Sequence, residues 1–294
     1  MISRYGIFCK VIETGSFTKT ADIIGYSQSA VSQTIKSLEQ ELGTALVNRG
    51  KDGITPTRDG EQFLPYLKAI YSSEQALVRK QSEMKGLKNS TIRIGTFISV
   101  SRFLLPKPMK EFKKKYPEVK FDLRQGDYDS IEKWIRDGGV DFGFVNPDAV
   151  SRLEIKPLIR QHLQAVLPKG HPLASQKDIT LAQLAKGPII LPEEGEYNLL
   201  LRAFQQEQLS PNIEYKVYDD YTIMSMVQQG LGISAFYDIL LSNVKPDLEI
   251  REIKERPERT LALAWRNWDT MPLAARKFID CIVSSIDEAG KSIK

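Results

Sequence analysis

Apolar residues recur every three or four positions at the start of the chain, which predicts short helices. Phe8, Val11 and Ile12 share one face, and Gly15 followed by Ser16 supplies a stop and a new N-cap. Phe17, Ala21 and Ile24 define a second helix, and Gly25-Tyr26 a tight turn. Ser27 then caps a third helix carrying Val31, Ile35, Leu38 and Leu42, which Gly43 ends. From Thr44 to Thr57, with Asn48-Arg49-Gly50-Lys51-Asp52-Gly53 at its centre, the chain reads as a β-turn wing.

From Arg58 to about Lys88 the pattern is helical again. Phe63, Leu67, Ile70, Leu77 and Met84 form a seam that skips Glu74 and Gln81, and Pro65 should kink or loosen the first turns. The seam is either a dimer contact or packing within one domain. Gly86, Asn89 and Ser90 mark a hinge.

Beyond Thr91 strands alternate with helices, which argues an α/β fold. The strands are read at Ile92/Ile94, Val119/Phe121/Leu123, Val140 to Val145, Ala165 to Leu167, Ile189 to Leu191, Ile213/Tyr215/Val217 and Leu261 to Trp265. A shift of 92 positions lays Phe121 on Ile213, Leu123 on Tyr215, Asp127 on Asp219, Ile131 on Ile223, Trp134 on Met226, Ile135 on Val227 and Gly138 on Gly230. Strand, acidic turn, helix and glycine thus occur twice, as two similar lobes facing a cleft require.

Composition changes this picture little. In 294 residues, 41 Lys and Arg against 37 Asp and Glu give a formal charge of +4, which permits DNA binding without arguing for it. Two distant cysteines, Cys9 and Cys281, make a disulfide framework improbable. No signal peptide is readable and no apolar run approaches the roughly 18 residues of a membrane span, so the expected location is the cytoplasm, with no membrane partner.

With Val31, Ile35 and Leu38 turned inward, the third helix turns Gln28, Ser29, Ser32, Gln33 and Lys36 outward, side chains able to meet base edges and phosphates. Arg49 and Lys51 in the wing would neutralise phosphates. Any amphipathic helix has a polar outer face, so spacing alone leaves DNA binding open. The segment from Phe8 to Gly60, through its GSFT, SQSAVSQ-I-LE, LG-L-R and T-G landmarks, resembles the DNA-binding domain of LysR-type transcription regulators. Thr20 and Val47 depart from that pattern, where paired alanines and Phe are usual. IRIG, LLP, GGVDFGF, HPLA and V-GLGIS carry a looser resemblance to the LysR-type effector domain.

The resemblance implies a winged helix-turn-helix, a long linker helix through which such proteins dimerise, and a two-lobed effector domain resembling periplasmic binding proteins. The expected boundaries are 1–58, 59–90 and 91–294, with a first lobe of about 91–162 plus 266–294 and a second of about 163–265. DNA contacts are expected from Thr18, Ser27, Gln28, Ser29, Ser32, Gln33, Lys36, Arg49 and Lys51. Self-association, as a homodimer or homotetramer, is expected through Phe63, Leu67, Ile70 and Leu77. The turn from Thr96 to Arg102 becomes a principal effector contact, giving Thr96, Ser99, Val100 and Ser101. The echoing turns and their neighbours add Asp127, Tyr128, Asn146, Tyr197, Asp220 and Tyr221.

Other constellations carry less. Gly230-Leu231-Gly232 follows a helix and opens a strand, the reverse of a dinucleotide fingerprint, and Ser234 lacks the setting of a nucleophile elbow. Neither His162 nor His171 has a metal-ligand partner at helical spacing, and Lys113-Lys114-Lys115 reads as a solvated face. No cofactor, metal or catalytic set is therefore expected. Asp129 and Asp220 either cap helices or meet ligand. The acids around the cleft, interleaved with Tyr128, Tyr197 and Tyr221, favour a cationic or neutral aromatic ligand, against a carboxylate held by serine hydroxyls. A ligand-controlled DNA-binding regulator leads over a solute-binding receptor without DNA function and over an enzyme.

Overall fold

Serine caps space the helices of the N-terminal unit. In the computed structural model, which describes residues 2–50, 53–84, 87, 90–243 and 247–291, Ser3, Ser16 and Ser27 cap α1 (Arg4–Thr14), α2 (Phe17–Ile24) and α3 (Gln28–Leu42). Each Oγ accepts the backbone N–H three residues on, satisfying a donor that the helix leaves orphaned. Phe8, Val11, Val31, Ile35 and Leu38 are fully buried at the centre. Gly25 holds φ +71°, a left-handed conformation costly for other residues, and so turns α2 into α3.

The wing is the antiparallel hairpin of β1 (Val47–Gly50) and β2 (Gly53–Pro56). Glu39 fixes its start, because Oε1 accepts from the N–H of Leu46 at 2.8 Å and of Val47 at 3.2 Å. Its end is fixed by Thr57, whose hydroxyl donates to Ala45 O at 2.7 Å. A Cβ at Gly60 would lie 2.1 Å from Leu46 O, so that position needs glycine. Thr20, the departure noted in the sequence, is fully buried with its hydroxyl 2.7 Å from that of Thr14. α4 (Arg58–Met84) runs as one helix through Pro65.

One part of the expected dimer seam is corrected here. Leu67 is buried in the core of its own unit and Phe63 is half-buried against it, whereas Tyr66, Ile70 and Leu77 remain 71%, 42% and 72% exposed. One face of α4, through Phe63, Leu67 and Tyr71, covers α1, and the face carrying Tyr66, Ile70 and Leu77 is open. Met84's side chain, Gly86 and Asn89 lie outside the described residues, as does Lys51.

The chain divides into Met1–Gly86 and Leu87–Lys294. In the larger unit, β3 (Thr91–Thr96), α5 (Ile98–Phe103), α6 (Pro106–Lys115), β4 (Lys120–Gln125), α7 (Tyr128–Arg136) and β5 (Phe142–Val145) build the first lobe. β4 and β5 flank β3, parallel to it. Next come β6 (Glu154–Leu167), β7 (Asp178–Ile179), α8 (Leu181–Leu184), β8 (Pro188–Pro192), α9 (Leu199–Gln206), β9 (Asn212–Val217), α10 (Asp220–Gln228), β10 (Ser234–Tyr237), α11 (Asp238–Asn243) and β11 (Glu249–Ile253). β12 (Glu258–Trp265) and α12 (Leu273–Lys291) return to the first lobe, where Phe278 packs against Phe112, Phe121 and Phe142.

β6 joins the lobes. Its first nine residues run along β12 and its last five pair with β10 and β11. The sequence reading found only its apolar end, because Lys156, Pro157 and Arg160 hide the rest. The second-lobe boundary at 265 is likewise corrected: Ala262–Ala264 pair with β5, so β12 belongs to the first lobe's sheet.

The echo at 92 positions is structural. Parallel pairs β3–β4 and β8–β9 lead into Asp127 and Asp219, whose carboxylates accept from Ser130 N at 2.8 Å and Thr222 N at 2.7 Å. Ile131, Ile135, Ile223 and Val227 are buried at matching places, and Gly138 and Gly230 take φ near +70° and +72°. The caps are thus Asp127 and Asp219, not Asp129 and Asp220.

Candidate nucleic-acid interface and ligand cleft

On α3, Gln28, Ser29, Gln33 and Lys36 are exposed in one tract, with Ser32 half-buried beside them and Thr18 exposed on α2. Arg49 reaches back from the wing, its Nη2 donating to Ser32 Oγ at 3.3 Å and its guanidinium 4.9 Å from the Phe17 ring centre. The structure thereby joins wing and helix into one polar face holding amide, hydroxyl and cationic groups. Ser27 contributes differently from expectation, since its hydroxyl is committed to Ala30 N and lies 3.0 Å from that of Ser29.

The second site is a cleft enclosing about 670 Å³, part of it open to solvent, between the lobes of the larger unit. Phe97, Ile98, Ser99, Asp127 and Tyr128 supply the first-lobe wall; Glu193, Glu194, Tyr218, Asp220, Phe236, Tyr237 and Leu240 supply the second. At one rim Asp129 Oδ2 accepts from Glu196 N at 3.1 Å, linking the lobes. Another link places the Arg102 guanidinium 4.1 Å from the Tyr221 ring centre.

Arg259 is the cleft's central charge. It is 3% exposed, donating from Nε to Gln161 Oε1 at 2.8 Å and from Nη1 to Tyr128 Oη at 2.6 Å, with its guanidinium 3.4 Å from the Tyr237 ring centre. Burial opposes the guanidinium's charge, but Tyr128, Tyr237 and Glu194 outweigh it and raise its pKa further. Opposite stand two acids short of water. Desolvation raises Glu194 to about 7 and Asp220 to about 6; Arg259 pulls both back, while Asp220 adds to the rise at Glu194 and Asp219 to that at Asp220. Burial also pushes the Tyr128 hydroxyl up to about 12, against the pull of Arg259.

Among the ten expected effector residues, Ser99, Asp127, Tyr128 and Asp220 line this cleft. The others do not. Thr96 is fully buried and donates to Phe97 O at 3.3 Å, Val100 belongs to the first-lobe core, and Ser101 bonds Phe97 O and Ile98 O within its own turn. Asn146 is fully buried, with its Oδ1 accepting from Asp148 N. Tyr197 stands edge-on to Tyr128, and Tyr221 lies under Arg102. Sequence reasoning missed Arg259, Tyr237, Phe97 and Tyr218. It read Gly230-Leu231-Gly232 as a turn, and Ser234 there spends its hydroxyl on Ile190 O at 2.7 Å.

A winged helix-turn-helix followed by a two-lobed cleft domain defines the class of DNA-binding regulators controlled by small molecules. Family models agree: a "Bacterial regulatory helix-turn-helix protein, lysR family" model matches residues 2–61, and a "LysR substrate binding domain" model matches 85–287. The chain belongs to the LysR family of transcription regulators. It is 30% identical to the uncharacterised HTH-type regulator YvbU of Bacillus subtilis, over 95% of this chain and 96% of that one. With the transcriptional activator CmpR of Synechocystis it shares 26% identity, over 98% and 96%. A full-length OxyR variant of Pseudomonas aeruginosa has the same fold, with TM-score 0.73 at 20% identity over 97% and 94% of the two chains. So does full-length CbnR in complex with its target DNA, with TM-score 0.66 at 19% over 96% and 98%.

Proposed function

We propose that this regulator reads DNA through Gln28, Ser29, Gln33 and Lys36 on α3, with Thr18 on α2 and Arg49 on the wing. The observation that carries this reading is the junction of Arg49 with Ser32, which sets a phosphate-seeking cation beside a row of hydrogen-bonding groups. Lys51 extends the wing set by its sequence position. Ser27 acts by capping α3, and Ser32 by holding Arg49. An effector taken up between the lobes, against Ser99, Asp127, Tyr128 and Asp220, controls this binding without chemical conversion. Ser234, the one serine in an elbow-like motif, bonds a backbone carbonyl rather than a base. Among the described residues no helix is long and apolar enough to cross a membrane. A DNA partner supports a cytoplasmic location. Self-association runs through the exposed face of Tyr66, Ile70 and Leu77 on α4.

Electrophoretic titration against duplex from the gene's own upstream region, at several salt concentrations, tests the interface. Arg49→Ala should weaken binding to that duplex and to random DNA alike, and lower the slope of log K on log salt by about one. An unchanged slope removes the wing from the interface.

A further inference from the structure

Arg259 enters the cleft with unspent hydrogen-bonding capacity. Among the described residues its buried Nη2 has no acceptor, and neither has the buried Nε2 of Gln161, the residue directly across the strand pair from it. A buried N–H without a partner costs about 1 to 3 kcal/mol, so the Arg259 guanidinium, which lines the cleft as Gln161 does not, offers an unmet donor to an oxyanion. Across the cleft the electrostatics invert. Among the described residues no carboxylate forms an ion pair with Arg259, yet Glu194 and Asp220 both feel its charge. Among the described residues the Asp220 carboxylate has no hydrogen-bond partner, and Glu194 has the Leu199 backbone N–H and one long contact, 3.5 Å from the Tyr237 hydroxyl. Arg259 and the two acids thus share one cavity without a direct ion pair between them.

Resting on the reading of the cleft as the effector site, we propose that its ligand is a small amphoteric compound of the amino-acid type, carboxylate toward Arg259 and protonated amine toward Glu194 and Asp220. A monocarboxylate would satisfy Arg259 but leave both acids desolvated and unpaired. A dicarboxylate would add like-charge repulsion, and a simple amine would leave the Arg259 donors orphaned. A zwitterion meets both demands at once. Ile98, Phe236 and Leu240 supply an apolar wall for its side chain, and Ser99 offers a hydroxyl next to them.

The test is thermal melting of the full-length protein with two matched sets at millimolar concentration: phenylalanine, hydrocinnamate and phenethylamine, and leucine, isocaproate and isoamylamine. A ligand that binds the native state raises the melting temperature by mass action. In at least one set the amino acid should raise it while the des-amino and decarboxylated relatives do not. Affinity by calorimetry should then fall at least about tenfold in Arg259→Gln and in Asp220→Asn. Arg259 also holds Gln161 and Tyr128, so Asp220→Asn and Glu194→Gln keep the test open if Arg259→Gln does not fold. Binding of hydrocinnamate or isocaproate as tight as that of the amino acid, lost in Arg259→Gln but unchanged in Asp220→Asn and Glu194→Gln, overturns the amphoteric class and keeps the cleft. Binding indifferent to all the substitutions overturns the cleft itself, and no shift from any of the six compounds overturns the proposal.

Discussion

Glu194 and Asp220 occupy a wall too dry for two full negative charges, and this makes the stability of the ligand-free protein depend on pH. A carboxyl whose folded pKa lies above its unfolded one holds its proton more tightly in the native state. Stability therefore falls as pH rises through the ordinary carboxylate range toward about 7, and the loss is complete above that value. Glu194→Gln fixes the neutral form. Its melting temperature should match the wild type near about pH 4 and exceed it by a growing margin toward about pH 8. Parallel melting curves across that range would show that the Glu194 carboxyl is solvated. Arg259, which dominates the site, was invisible in the sequence. It sits between Glu258 and Thr260 in a polar run, and its burial arises only when Phe97, Tyr128, Gln161 and Tyr237 converge from four distant segments. Tyr128 and Asp220 were legible because an acidic turn repeats before each of two similar helices.

At the scale of elements, α4 does two jobs on two faces. Leu67 belongs to the core shared with Phe8 and Leu38, so Leu67→Ala should destabilise the N-terminal unit by about 2 to 5 kcal/mol without changing the assembly. Leu77 is 72% exposed, and Leu77→Glu should leave the fold intact but reduce the mass measured by light scattering. If Leu77→Glu keeps the wild-type mass, this face of α4 is not the seam. Heptad-like spacing could not separate these roles, because Leu67 and Leu77 fall on the same periodic pattern and differ only in whether α1 lies beside them. The helices of the reading domain were legible because each carries its own serine cap and glycine stop. Strand β6 was not: only Leu163, Ala165 and Leu167 alternate cleanly, and its first half is defined by pairing with β12, about a hundred residues away.

For the whole molecule, the sequence pattern and the structure converge on a reader of DNA and a two-lobed sensor in one chain. The lobes were legible from internal repetition, whose positions reappear as matching caps, buried aliphatic residues and left-handed glycines. Ligand chemistry was not, since the acidic loops suggested a cation and the buried guanidinium facing them supplies the missing half. In the proposed interface α3 specifies sequence while the wing supplies general affinity. The most direct measurement is the ratio of affinities for the gene's own upstream duplex and a scrambled duplex at fixed salt. The wild type should show a ratio of at least about a thousand, Gln28→Ala should lower it roughly tenfold, and Arg49→Ala should weaken both affinities while leaving the ratio unchanged. A wild-type ratio near one, or a ratio that falls with Arg49→Ala and not with Gln28→Ala, would contradict the account.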